Sequence, residues 1–378
     1  MPITGFEKGQ TRRAAGYSCH VPAYINRTYH VERAEWLPLL ERAGMSIGHL
    51  NALTRIVPSV DHFIRLHIAR EAADSSRIEG TTTTVMEALM QEDDLRPERR
   101  DDWREVNNYI TALNVCLREL DSLPLSNRLL REGHRLLMQG VRGEHKMPGE
   151  FRRSQNWIGG SSPVDAVFVP PPWEEVANLM GDIELFLHND ETGLPVLVKA
   201  ALSHYQFETI HPFLDGNGRT GRMLITLYLV ATGYLSKPVL YLSSFFDKHR
   251  AAYYEQLTQL RSSGDPTKWV TFFLTGVEET ARQSCDSIEK LLALRTDIED
   301  RRLVQLGRRM HLGRTLLDRL YQRPVVTVEE VAEIIGKSLP TAYSLVEELQ
   351  GLGILKEVTG MKRGREYLFE EYFAVMNA

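Results

Sequence analysis

Apolar residues recur at helical spacing along most of the chain. From Trp36 to Ala73 they fall at Leu39, Leu40, Ala43, Leu50, Leu53, Ile56, Val57, Val60 and Ile64, the repeat of one buried helix face. Further helical stretches fit Val85 to Met90, Asn107 to Leu120, Ser126 to Gln139, Trp173 to His188, Leu194 to Glu208, Gly218 to Thr232, His249 to Ser262 and Lys268 to about Ile298. The period lapses in three places. Residues 1 to about 33 are polar and turn-rich and read as an extended arm. Residues 147–172, MPGEFRRSQNWIGGSSPVDAVFVPPP, hold two strand-like runs, Asn156 to Ile158 and Ala166 to Val169. Gly-Gly-Ser-Ser-Pro between them makes a hairpin pattern. From about residue 300 a new unit reads as three helices followed by the strand-like LKEVTGMKRGREYLF. The expected fold is mainly α.

Composition narrows the class. A chain of 378 residues is long enough for two or three cores. Its 43% hydrophobic and 25% charged content is ordinary for a soluble globular protein. The net charge of −5 gives no global basic character to attract nucleic acid. Cys19, Cys116 and Cys285 are scattered, which argues against a disulfide framework or a zinc site and fits a reducing, cytoplasmic setting. The opening MPITGFEKGQTRR does not read as a signal peptide. No apolar run is long enough for a membrane span. The phosphate-binding loop Gly-x-x-x-x-Gly-Lys-Ser/Thr and the kinase Gly-rich and His-Arg-Asp motifs are absent, which argues against those nucleotide enzymes.

One stretch fits neither core nor solvated helix: HPFLDGNGRTGR, residues 211–222. Pro212 pushes His211 out of the helical region, so the preceding helix should stop and leave His211 in a loop pinned by Phe213. Gly216, Asn217 and Gly218 can turn and expose successive amides at the start of the next helix, an anion-binding arrangement. Arg219 and Arg222, three apart, share a helix face and suit phosphate oxygens. Asp215 would repel a bare phosphate unless Mg²⁺ lay between them. His211 beside such a site is suited to take a proton from an incoming hydroxyl.

This run resembles the signature of the Fic family, His-x-Phe-x-Asp/Glu-Gly-Asn-Gly-Arg-x-x-Arg, at every defined position. SSRIEG resembles that family's inhibitory motif, with Ser75, Glu79 and Gly80 in place. FRRSQNWIGG…VFVPPP resembles its target-holding flap, with Ile158, Gly159, Gly160 and Ser161 at the tip, and RAAYYEQL its nucleoside-side helix. The resemblance covers about residues 35–300 and implies three regions. They are an N-terminal arm and helices over 1–105, a Fic core with a flap over 106–300, and a winged-helix domain over 301–378. It also implies a protein adenylyltransferase that moves AMP from ATP, with Mg²⁺, onto a Ser, Thr or Tyr hydroxyl of an unknown target protein. By resemblance His211 is the base and Asp215 holds the metal. The nucleotide is held by Gly216, Asn217, Gly218, Arg219, Thr220, Gly221 and Arg222. Glu79 engages Arg222 and turns the γ-phosphate away. Tyr254 either meets the nucleotide or only packs its helix, and His204 reads as a satisfied core histidine.

In the tail, TVEEVAEIIGKSLPTAYSLVEELQGLGIL reads as helix, turn, helix, with Thr327 as an N-cap. Lys362, Arg363 and Arg365 could meet DNA phosphates, but five nearby glutamates offset them. DNA binding and a docking or homodimerisation role stand side by side. Two alternatives to transfer remain open: removal of AMP at the same site, and a DNA-bound regulator with a nucleotide-sensing core.

Overall fold

The structure, a computed structural model, describes residues 3–14, 16–32, 35–56, 60–90, 92–361 and 364–377. Val57, Lys362 and Arg363 lie outside the described residues. The chain divides into two compact units, Met1–Asn51 with Ile68–Ala281 and Ala52–His67 with Arg282–Ala378.

The N-terminal stretch is not a plain extended arm. It forms β1 (Ile3–Thr4), β2 (Gln10–Arg13), β3 (Ser18–Val21) and β4 (His30–Val31). β1 pairs with β4 and β2 with β3, both antiparallel. The helical stretch read from Trp36 to Ala73 is described as α1 (Leu37–Ile56) and α2 (Val60–Ile78), on either side of residues 57–59, which lie outside the described residues. Ile56, expected on the buried stripe, is exposed. α2 runs on past Ala73, so Ser75 lies in its last turn and Glu79 and Gly80 in the turn after it. Then come α3 (Val85–Leu89), α4 (Arg100–Glu119), α5 (Asn127–Leu137) and α6 (Trp173–His188). α4 begins before the expected Asn107, which brings Glu105 onto a helix facing the core.

The centre of this unit is α7 (Val196–Ile210) packed on α8 (Asn217–Ala231). Every residue of α7 after Val196 is buried. A helix buried on all sides needs internal partners for its polar side chains, and Lys199, His204, Gln206 and Thr209 find them. α9 (Leu242–Lys248), not expected from the pattern, precedes α10 (Arg250–Ser263) and α11 (Thr267–Asp297). Trp269 of α11 donates its indole N–H to Ala201 O of α7 at 2.8 Å. Between α5 and α6 the expected hairpin is reduced to one antiparallel bridge, Ile158 with Phe168. The residues around it do not form strands, because Gly159 and Gly160 both turn with positive φ.

The second unit holds α12 (Met310–Leu320), β5 (Val325–Thr327), α13 (Val328–Ile335), α14 (Leu339–Gly351), β6 (Lys356–Glu357), β7 (Glu366–Leu368) and α15 (Glu370–Asn377). The sheet order is β5-β7-β6, with both pairings antiparallel. Val328, Val331 and Ile335 of α13 are buried, as are Ala342, Leu345, Val346 and Leu349 of α14. Thr327 caps α13 in a reciprocal box. Its hydroxyl accepts from Glu330 N at 3.2 Å, and Glu330 Oε2 accepts from Thr327 N at 2.8 Å. Thr327→Ala should therefore cost about 1 kcal/mol, seen as a lower urea midpoint for the transition of this unit. Thr327→Ser should stay close to wild type. A Thr327→Ala midpoint equal to the parent's would mean the cap contributes nothing.

Candidate active site

Residues 211–222 link the two central helices. α7 ends at Ile210, and His211 caps it in the left-handed region at φ 50°, ψ 62°. That backbone is uncommon for a residue with a Cβ and persists only where its surroundings hold it. Here two side chains grip the His211 carbonyl: Arg152 Nε at 3.0 Å and Asn156 Nδ2 at 3.1 Å. Asn156 also donates to Phe213 O at 2.9 Å. Arg152 is buried and spends its other donors on Ser154 O, Pro171 O and Ile210 O. It has only carbonyl acceptors, and burial brings its pKa down to about 10.

Phe213 is fully buried and stacks on the His134 ring at 3.7 Å between centroids. Asn217, inside the Gly-Asn-Gly turn, bonds Phe213 N and O through its own amide group at 2.8 Å each. Its side chain braces the loop rather than facing outward. Gly216 takes φ 72° as the N-cap of α8 and has no side-chain cap. The amides of Asn217, Gly218 and Arg219 are therefore the open N-terminus of that helix. Thr220 bonds back to Gly216 O, and Gly221 lies against Glu208, where a Cβ would meet Oε1 at 2.5 Å.

Each charged side chain of the loop is already paired. Asp215 Oδ1 accepts from Gly216 N at 2.7 Å, and Oδ2 meets Lys146 Nζ at 2.9 Å. Burial works against the ionised form, but Lys146 and the Gly216 amide outweigh it and hold the Asp215 pKa below its ordinary value. Arg219 meets Glu105 Oε2 at 3.0 Å, both side chains buried. Arg222 meets Glu79 Oε1 at 2.7 Å and also donates to Ser75 Oγ and Ser75 O at 2.8 Å each. Glu79 is 36% exposed at its side chain while Arg222 is buried. Its carboxylate lies over the first turn of α8, where a methyl group on Gly218 would run into Oε1. Gly80 follows with φ 102°.

His211 Nδ1 is buried with no hydrogen-bond partner among the described residues. Burial drives the ring pKa down to about 4. Glu79 opposes the shift, and Arg152 and Arg261 add to it. The imidazole is thus neutral near pH 7. His204 is fully buried and satisfied, between Gly221 O and the Tyr253 hydroxyl, both at 2.9 Å. Tyr254 is 44% exposed beside Tyr253. Its pKa is raised by burial and then by the Glu79 charge. At the hairpin, Ser161 and Ser162 bond the Asp165 carboxylate and close the turn. Phe168 beneath lies 3.9 Å from the Arg261 guanidinium carbon. His20 of β3 donates its amide to Val169 O at 2.9 Å.

Three residues that shape the site, Glu105, His134 and Lys146, lie outside the motifs, and a fourth, Arg152, lies in the flap-like run with no local signal of its own. His134 accepts from Gly149 N at Nδ1, so Nε2 carries the proton given to Asp215 O at 2.9 Å. Among the described residues no group of three or more His, Cys, Asp or Glu side chains would hold a metal alone. Asp215 supplies one oriented carboxylate, which fits Mg²⁺ only when phosphate oxygens complete its shell. Among the described residues no helix is long and apolar enough to cross a membrane.

Residues 124–229 match the model described as Fic/DOC family, and residues 37–118 that described as Fic/DOC family N-terminal. The chain is 39% identical over 176 residues to the protein adenylyltransferase Fic of Aedes aegypti, covering 46% of this chain and 30% of that one. It is 30% identical over 236 residues to the protein adenylyltransferase Fic of Drosophila grimshawi, covering 62% of this chain and 45% of that one. It thus spans less than half the length of these curated relatives. Among solved structures, a Fic family protein from Desulfovibrio desulfuricans G20 shares the fold. Its TM-score is 0.56 at 22% identity, covering 91% of this chain and 98% of that one.

His211 should titrate near pH 4, against about 6.5 for an unhindered histidine. Histidine NMR across pH 3–8, assigned with His211→Asn, measures it. A midpoint near 6.5 would mean the ring stands in water.

Proposed function

The chain belongs to the Fic/DOC family over residues 37–118 and 124–229, and on that premise we propose that it is an adenylyltransferase held back by its own Glu79. It moves AMP from ATP to a Ser, Thr or Tyr hydroxyl of a target protein. The observation that carries this reading is the Glu79–Arg222 pair, 2.7 Å long, lying over the open amides of α8.

The chemistry rests on named residues. The target hydroxyl oxygen bonds to the α-phosphorus, its proton passes to His211, and the bond to pyrophosphate breaks. The amides of Asn217, Gly218 and Arg219 receive phosphate charge as an oxyanion hole does. A bound polyphosphate also brings negative charge to His211 and raises its pKa toward the working range of a general base. Asp215 would hold Mg²⁺ together with the phosphates, and the ion supplies charge neutralisation when bound. Arg219 and Arg222 are the phosphate cations. Tyr254 lies on the nucleoside side, and residues 158–161 meet the target backbone.

Glu79 opposes this arrangement twice. It occupies the guanidinium that would take the γ-phosphate, and it puts a carboxylate where a phosphate oxygen belongs. Ser75 belongs to the same brake, because it fixes the other edge of Arg222, and Gly80 supplies the turn that aims Glu79. We read residues 301–378 as a winged-helix module. Cys19, Cys116 and Cys285 are buried and outside any disulfide, in keeping with a cytoplasmic setting.

Glu79→Gly should raise AMP transfer, self-modification included, by about 5- to 150-fold, the equivalent of about 1 to 3 kcal/mol from one freed charge-assisted contact. Arg222→Ala in that background should cancel the gain. Incorporation of labelled AMP in the parent, the two single variants and the double variant measures both. A Glu79→Gly protein no faster than the parent removes the brake, and one that loses an AMP-removing activity favours the reverse reaction.

His211→Ala should lose transfer and keep ATP affinity, since other residues hold the phosphates. Calorimetric ATP titration beside the same incorporation assay separates the two properties. Transfer near the parent rate would take His211 out of the reaction.

A further inference from the structure

The Lys146–Asp215 pair differs from the other two. Glu105 and Arg219 are both buried, and Arg222 is buried under Glu79. Lys146 and Asp215 are 42% and 33% exposed at their side chains. An ion pair that open adds little to stability, yet the loop carrying it is costly to build. Within ten residues Gly140, Gly143, Met147 and Gly149 all take positive φ. Met147, with its Cβ, is strained there. Gly143 has no room for a Cβ, which would lie 2.9 Å from Asp215 Oδ2. The loop end is fixed by Gly149 N on His134, and His134 in turn holds Asp215 O. The loop thus brings one flexible cation to one oxygen of one carboxylate.

That oxygen is the one left for a cation. Oδ1 is committed to the Gly216 amide, and Oδ2 is taken only by Lys146 among the described residues. An ammonium group held on Oδ2 repels a divalent ion brought to the same oxygen, so the two compete for it. We propose that Lys146 is a phosphate ligand outside the signature: it neutralises Asp215 in the nucleotide-free protein and passes to the polyphosphate when a divalent cation takes Oδ2. A lysine suits the transfer, being a point charge on a flexible stem. The metal then enters with the nucleotide rather than before it. This inference rests on the adenylyl-transfer reading of the same site.

The test uses full-length protein carrying Glu79→Gly, alone and with Lys146→Met or Lys146→Arg. Calorimetry measures affinity for ATP with Mg²⁺ and for adenosine, and electron paramagnetic resonance measures binding of Mn²⁺ alone. Lys146→Met should weaken ATP binding about tenfold and leave adenosine binding unchanged. It should also give measurable Mn²⁺ binding without nucleotide, where the parent gives none. Lys146→Arg should stay within about threefold of the parent for ATP. Unchanged ATP affinity in Lys146→Met, or an equal loss for adenosine, would overturn the proposal and leave the transfer reading intact. A parent that binds no ATP would overturn both.

Discussion

Charge buried beside charge must be balanced, and that constraint governs the centre of this molecule. Asp215, Arg219 and Arg222 stand within eight residues, at the mouth of a helix whose amides already carry partial positive charge. Left alone, a buried guanidinium would cost several kcal/mol. The fold answers with one counter-charge for each, drawn from three separate places: Lys146 on a loop, Glu105 on α4 and Glu79 after α2. The elements that supply these partners are therefore tied to α8 by electrostatics as well as by packing.

The three pairs are graded by exposure, and the grading separates scaffold from moving part. Glu105 and Arg219 are both out of water, so breaking them strands a charge. Glu79 sits at a helix end with part of its carboxylate in solvent. Lys146 has a long stem on an exposed loop. Water can take over from Lys146 at modest cost, whereas Arg222 is itself buried and needs another anion in place of Glu79. On the proposed reading, one surface serves a resting state with internal ion pairs and a loaded state with external ones.

What was legible in the sequence was local. Pro212 after His211 announced the end of α7, and Thr327 announced the start of α13. The Gly-Asn-Gly run announced the turn into α8, because a turn and a helix start need only neighbours in sequence. Apolar spacing located most helices within a few residues. What stayed hidden was distant. Arg152 lies 59 residues from the carbonyl it holds, and Glu105 lies 114 from Arg219. A lone buried arginine or glutamate looks in sequence like any solvated one. The β2–β3 pair was missed because β2 is wholly exposed and offers no alternation.

The Arg152 clamp has a consequence for how this site can change over generations. All four of its acceptors, at His211, Ser154, Pro171 and Ile210, are main-chain carbonyls. A carbonyl is supplied by every amino acid. The residues at 154, 171 and 210 can thus drift without unmaking the hydrogen bonds that aim His211, provided the backbone path is kept. The burden of invariance falls on Arg152 and on Asn156, the other side chain on that carbonyl. The side chains around this loop can be rewritten while the angle of its imidazole is inherited unchanged.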